Sequence, residues 1–210
     1  MPSDTLIRRN RRTAILIAVA AWVVVSVVPS CGHACACCTD IGQRRVATDK
    51  LDAYRRGEID RLRFAPTAEL YTGSAGLEDL KGLRATTADY SLEVQQGDDG
   101  VTFDFRDKDK RAGTLLLAWP DVISIFEVDP RQDKRPGGLG PRLYKEWSVT
   151  GRIAAAGIFE PSNDDGARIT LILQGGGNSC TGAEDFTDWT LVVDGPNAAY
   201  TFIGALLPPR

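Results

Sequence analysis

Imidazole is nearly missing from this chain: His33 is the one histidine in 210 residues. A serine or cysteine nucleophile anywhere downstream therefore has no histidine to serve as its base, which excludes a histidine-based triad. Histidine-rich metal sites are excluded with it. A basic surplus is lacking too. The 25 Lys and Arg against 28 Asp and Glu leave a net charge of −3, and nucleic-acid binders ordinarily carry an excess of positive charge. The 21 Gly and 11 Pro follow no period, so neither a collagen-like repeat nor one long helical rod fits. No internal repeat is present. No amphipathic helices alternate with the strand-like segments, which argues against a parallel α/β sheet.

What the chain does have begins at its N-terminus. Arg8, Arg9, Arg11 and Arg12 precede an uncharged apolar run from Ala14 to Val28, closed by Pro29 and Ser30. A positive stretch followed by about 15 apolar residues is the pattern of a secretory signal, and it predicts that everything after Ser30 is delivered across a membrane. Three outcomes follow from the residues there. Cleavage after the Ala34-Cys35-Ala36 motif releases a soluble exported protein. Acylation of Cys31, after the loosely lipobox-like Val28-Pro29-Ser30, makes a lipoprotein. Retention of residues 13–30 leaves a membrane anchor. The expected organisation is a signal peptide or anchor over residues 1–36 and one exported β-rich domain over residues 37–210, in the periplasm or cell envelope. Without residues 1–36 the charge becomes −6, from 21 basic and 27 acidic residues. Arginine outnumbers lysine, a bias that fits a GC-rich bacterial genome.

Beyond Thr48 the apolar period is two. A short helix comes first, with Thr48 as its cap, Leu51 and Tyr54 on one face, and Arg55, Arg56 and Gly57 as its exit. Tyr90, Leu92 and Val94 then alternate with polar residues, Gly97-Asp98-Asp99-Gly100 turns, and Val101, Phe103 and Phe105 alternate again, which reads as a hairpin. Leu62–Phe64, Ala68–Tyr71, Leu115–Trp119 and Val122–Val128 are further short runs. Leu143, Lys145, Trp147, Val149, Gly151 and Ile153 share one face of a long strand. Ile169–Leu173, Trp189–Val193 and Tyr200–Leu206 complete the pattern. The expected fold is all-β and mainly antiparallel, a meander sandwich or barrel of about nine strands with one or two short helices. It is similar to a lipocalin in outline only, because the G-x-W signature near the first strand is absent.

Cys31, His33, Cys35, Cys37 and Cys38 crowd into eight residues, and Cys180 stands alone in the C-terminal half. After export, thiols pair. A bridge from Cys37 or Cys38 to Cys180 closes a loop of about 143 residues, which chain entropy values at about 4–5 kcal/mol. The competing reading uses Cys35, Cys37, Cys38 and Cys180 as thiol-redox groups or as ligands for Cu or Zn. The segment Gln174-Gly175-Gly176-Gly177-Asn178-Ser179-Cys180 lacks the lysine of a phosphate loop and misses a nucleophile elbow. Thr181-Gly182-Ala183-Glu184 reads as a capping box opening a short helix. Two segments are long for connections: Thr72–Asp89 and Pro130–Arg142, the second carrying Arg131, Lys134, Arg135 and Arg142. Asp98/Asp99 and Asp164/Asp165 sit in turns. Trp119, Trp147 and Trp189 fall on strands, as core residues or as the lining of a ligand cavity.

These features predict no catalytic residues and no resident cofactor. They predict a non-enzymatic envelope domain that binds a small ligand or another envelope protein, with no nucleic-acid partner. Membrane contact is expected only through the N-terminal segment or a lipid on Cys31. The surface expected to bind joins Arg131, Lys134, Arg135 and Arg142 to Asn178, Glu184 and Asp185.

Overall fold

A computed structural model of the chain describes residues 42–73, 76–84, 87–130, 143–177 and 182–209. Eleven strands, all paired antiparallel, form one sheet that closes on itself. The strands are β1 (Arg44–Lys50), β2 (Arg63–Phe64), β3 (Thr67–Tyr71), β4 (Asp89–Gln96), β5 (Gly100–Asp107), β6 (Ala112–Ala118), β7 (Val122–Val128), β8 (Leu143–Gly157), β9 (Arg168–Gly177), β10 (Phe186–Asp194) and β11 (Ala199–Leu207). The order β8-β6-β5-β4-β3-β11-β10-β9 returns to β8 through the β8–β9 ladder, so eight strands make a closed barrel. The choice between sandwich and barrel resolves to the barrel, with β1, β2 and β7 lying outside the ring.

The hairpins follow from residue chemistry. Between β4 and β5 the Gly97 N–H donates to the Gly100 carbonyl at 2.9 Å. Between β5 and β6 the Asp107 carboxylate accepts from the Arg111 backbone N–H and Nε, both at 2.8 Å, while Lys110 takes a left-handed turn conformation at φ +65°. Along β5 the alternation sends Val101, Phe103 and Phe105 inward.

Strand β8 is the longest, and its two halves have different neighbours. Ile153–Gly157 pair with β6, whereas Tyr144–Ser148 pair with β7. β6 and β7 thus run in succession along one edge of β8, interrupted at Trp119-Pro120-Asp121. Proline lacks the N–H a ladder needs. Beyond the break, β1 pairs with β7 along its whole length, so β1 and β7 make a flange on one edge of the first half of β8, whose other edge pairs with β9 in the ring.

The helix α1 (Ala53–Asp60) follows β1. Its N-cap is Asp52, whose Oδ1 accepts the Arg55 N–H at 2.9 Å. The chain from Thr48 to Lys50, expected to open the helix, belongs to β1 instead, and Gly57, expected to end it, lies inside it. α1 lies across one end of the barrel: Gln96 Nε2 donates to the carbonyls of Ile59 and Leu62 at 3.1 and 3.3 Å, and Arg56 Nη2 donates to the Asp98 carbonyl at 2.8 Å. Leu51, Ile59 and Leu62 join the core there. At the opposite end, Gly157 turns the chain out of β8 with φ +65°, and a Cβ there would lie 2.3 Å from the Ala112 carbonyl. The 3-10 turn Glu160–Ser162 follows, tied to β11 by a Ser162–Tyr200 hydroxyl contact of 2.9 Å.

The interior is filled by side chains, as an eight-stranded ring permits. Phe103, Phe105, Tyr90, Phe159, Tyr200 and Phe202 pack ring on ring, with Phe105 and Phe202 stacked at 4.3 Å and Tyr90 edge-on to Phe202 at 5.2 Å. Trp147 and Trp189 are each 1% exposed and belong to the core. Trp119, past the end of β6, lies instead under the Arg56 guanidinium, 5.4 Å from the ring centre.

Candidate functional site

Charged side chains are concentrated where α1 and the flange meet. Of the six buried Asp, Glu and Lys residues among the described residues, Glu58, Glu127, Asp129, Lys145 and Asp185 lie here, and Asp107 sits in the β5–β6 hairpin. The register aligns them. Arg45 on β1 faces Glu127 on β7, Glu127 faces Lys145 on β8, and Lys145 faces Gly175 on β9. Arg45 Nη1 meets Glu127 Oε2 at 3.1 Å. Lys145, 1% exposed, has Leu143 and Trp147 as its neighbours on the same strand face.

Lys145 Nζ bonds the Asp185 Oδ2 carboxylate oxygen. Asp185 comes from the 3-10 turn Ala183–Asp185 that leads into β10, so the contact spans β9. Glycines make that crossing possible. A Cβ on Gly175 would stand 1.9 Å from the Asp185 carbonyl oxygen, and one on Gly177 would stand 1.7 Å from Asp185 Oδ1. The glycine run, which lacks the lysine of a phosphate loop, is thus the bare floor over which Asp185 reaches Lys145.

A second polar clamp holds the same turn to α1. Glu58 Oε2 accepts the Ala183 N–H at 2.7 Å, and Arg61 Nη1 bonds both Glu58 oxygens at 3.0 Å. Arg61 Nη2 also comes within 3.9 Å of Glu184 Oε2. Beside this clamp lies a groove of about 460 Å³, lined by Asp60, Arg61, Leu62, Arg63, Phe64, Val94, Gln96 and Leu207. Its lining mixes the apolar Leu62, Phe64, Val94 and Leu207 with the polar and charged Asp60, Arg61, Arg63 and Gln96. Arg63 makes a 3.5 Å contact with the Pro208 carbonyl and meets no carboxylate among the described residues.

Shifted titrations lie away from the groove. Burial, with the nearby Asp107 charge, pushes the Tyr90 phenol up to about 12, although Arg111 acts against it. Burial also raises Tyr200, against the hydrogen bond with Ser162. For Asp107, burial acts upward but the hydrogen bonds and charge of Arg111 outweigh it, and its carboxyl lies below the ordinary range. These groups hold hairpins and core together and offer no acid–base pair facing a cleft.

Of the residues singled out in the sequence, Glu184 and Asp185 are placed as above, Asp185 against Lys145 and Glu184 beside Arg61. Cys31, Cys35, Cys37, Cys38, Cys180, Asn178, Arg131, Lys134, Arg135 and Arg142 lie outside the described residues, as does Thr181; the residue that caps the turn is Gly182. The sheet does relate their attachment points, because Leu143, which follows Arg142, pairs with Gly177, which precedes Asn178. Lys145, Glu127, Glu58, Arg61 and Arg63 were not singled out. A lysine between Leu143 and Trp147 on an apolar strand face was the available signal, since a charge placed inward demands a partner. Among the described residues no group of three or more His, Cys, Asp or Glu gathers as a metal requires, and no helix is long and apolar enough to cross a membrane.

No family model, curated protein or solved structure matches the chain, so its function is argued from its own geometry.

Proposed function

We propose that the chain is an exported, non-enzymatic binding domain of the cell envelope, and that its ligand is a small anion with a short apolar body seated in the groove beside α1. The observation that carries this reading is Arg63: an exposed guanidinium that lines the groove together with the apolar Leu62, Phe64, Val94 and Leu207. A volume of about 460 Å³ lies within the range of small-molecule sites, roughly 300–1,000 Å³. The filled barrel supports an external site over an internal one.

Export by residues 1–36 and the tether from Cys37 or Cys38 to Cys180 belong to the same proposal. Arg44 on β1, Val128, Tyr144 and Gly176 on β9 form one row across the sheet. Three strand spacings separate the ends of that row, about 14 Å. Six residues join Arg44 to Cys38 and four join Gly176 to Cys180, enough chain at about 3.3 Å per residue to close the gap. Mass spectrometry with and without reductant tests the tether. A Cys180 bridge is the expected result, whereas free thiols carrying copper or zinc favour redox or metal chemistry.

Octanoate and its methyl ester are suitable probes of the groove. Octanoate is expected to bind and the ester, lacking the anion, to bind about tenfold or more weakly, as for the loss of a charge-assisted hydrogen bond. Arg63→Glu should abolish octanoate binding without lowering stability. Equal binding of acid and ester, or retained binding by R63E, would overturn the proposal.

A further inference from the structure

We infer that Lys145 and Asp185 are the two halves of an intramolecular isopeptide bond. The inference is independent of the ligand proposal and rests on how the pair is enclosed. Lys145 Nζ already touches Asp185 Oδ2. Both side chains are shielded from water, Lys145 at 1% exposure between Leu143 and Trp147, and Asp185 ahead of Phe186, whose ring packs on Trp147 at 5.1 Å. Gly175 and Gly177 leave space for the approach on the β9 side, where any side chain would collide with Asp185.

A buried ion pair of this kind contributes little to stability by charge alone, because desolvation of both groups offsets their attraction. A chemical role makes better use of the same arrangement. In a dry enclosure a contacting ammonium and carboxylate can exchange one proton to give an amine and a carboxylic acid. Holding the two in contact replaces a bimolecular encounter by an intramolecular one, with effective concentrations of about 10⁵ M or more.

The reaction balances without oxidant or cofactor. The Nζ lone pair attacks Asp185 Cγ and an N–C bond forms. The proton lost from Nζ is transferred to the departing hydroxyl, the Cγ–OH bond breaks, and one water leaves. Glu127, which pairs with Arg45, is the charged residue flanking this pair on the neighbouring strand. It stands directly across from Lys145 in the β7–β8 register, is itself buried, and is oriented by Arg45. Its role is that of a positioning residue. The product ties β8 to the start of β10 across β9, closing a covalent belt over the edge where the flange joins the barrel.

The test is the intact mass of the purified, reduced full chain, calculated from its observed N-terminus. The wild type is expected to be lighter than its sequence by one water, and digestion should yield a branched peptide containing Lys145 and Asp185. Lys145→Arg keeps the charge but should restore the full mass. Asp185→Asn, close in shape and so expected to fold, should lose one ammonia instead of one water. Glu127→Gln should slow the mass loss with the fold unchanged by circular dichroism, and Glu127→Asp should recover it in part. Wild-type protein at its full sequence mass would overturn the bond. A water loss that persists in K145R would assign the loss to dehydration at Asp185 alone and overturn it equally. An E127Q chain that links at the wild-type rate would remove Glu127 from the account.

Discussion

Strand β8 runs through two regions that bury opposite kinds of side chain. From Trp147 onward it lines a barrel filled by aliphatic and aromatic groups, with Trp147 and Val149 buried in the same core as Phe103, Phe105 and Phe202 and Ile153 and Ala155 packed against it. Its start, where the flange joins it, buries Lys145 across from Glu127 and against Asp185. The barrel interior gains from each ring it removes from water, with roughly 0.5–1.5 kcal/mol more per well-oriented aromatic pair. The flange gains little from its charges, which must each be matched to avoid a penalty. The difference teaches where specificity resides. The barrel tolerates any close-packed apolar filling, whereas the flange requires particular partners: Arg45 for Glu127, Lys145 for Asp185, and the Ala183 N–H with Arg61 for Glu58.

The largest effect should come from the barrel. Phe105→Ala removes a ring that contacts Phe103, Phe159, Phe202 and Tyr90, and denaturant unfolding should register a loss of about 3–5 kcal/mol. A loss below about 1 kcal/mol would mean that the barrel is loosely filled. In the flange, Asp185→Ala strands Lys145 without its partner and should cost roughly 3 kcal/mol. The double variant Lys145→Met/Asp185→Leu should recover the part that came from the stranded charge; a double variant no better than the single one would break the contrast between the two regions. Gly177→Ala tests the same point through space alone. The added methyl would displace the Asp185 carboxylate, at a cost of about 1–3 kcal/mol, and should reduce the Lys145–Asp185 link in step.

The smallest effect concerns acid. Arg111 holds the Asp107 carboxyl below its unfolded value, so the folded state binds its proton less readily than the unfolded chain. That contribution is complete above about pH 4, the ordinary Asp value, and is lost as the pH falls through the lower folded value. Asp107→Asn should therefore be less stable than wild type at pH 7, and the gap between them should narrow toward pH 2. A constant gap across that range would mean that Arg111 does not act through the charge.

Much of the architecture was legible because strands with one buried face alternate visibly. β4, β5 and β7–β11 stand where Tyr90, Val101, Val122, Leu143, Ile169, Trp189 and Tyr200 begin their runs. β1 was not legible. Its residues are all exposed or only part-buried and show no apolar period, and Thr48-Asp49 resembles a helix opening as closely as Asp52 does. Barrel closure was equally hidden, since it depends on β3 pairing with β11 over more than 130 residues of chain, for which no local residue carries a signal. Within the long connection Thr72–Asp89 the chain makes a 3-10 turn at Leu77–Asp79. Arg61 and Arg63 carry no signal of their own in a sequence where Leu62–Phe64 reads only as a short strand, and only the return of β11 to Phe64 and Arg63 turns them into the edge of a groove.

The claim that binding occurs outside a filled barrel is tested most directly by titrating octanoate into isotopically labelled protein and following the amide spectrum. The account predicts shifts at Arg61, Arg63, Phe64, Gln96 and Leu207, with Phe103, Phe105 and Phe202 unmoved. Shifts centred on those three phenylalanines, with the groove silent, would contradict it.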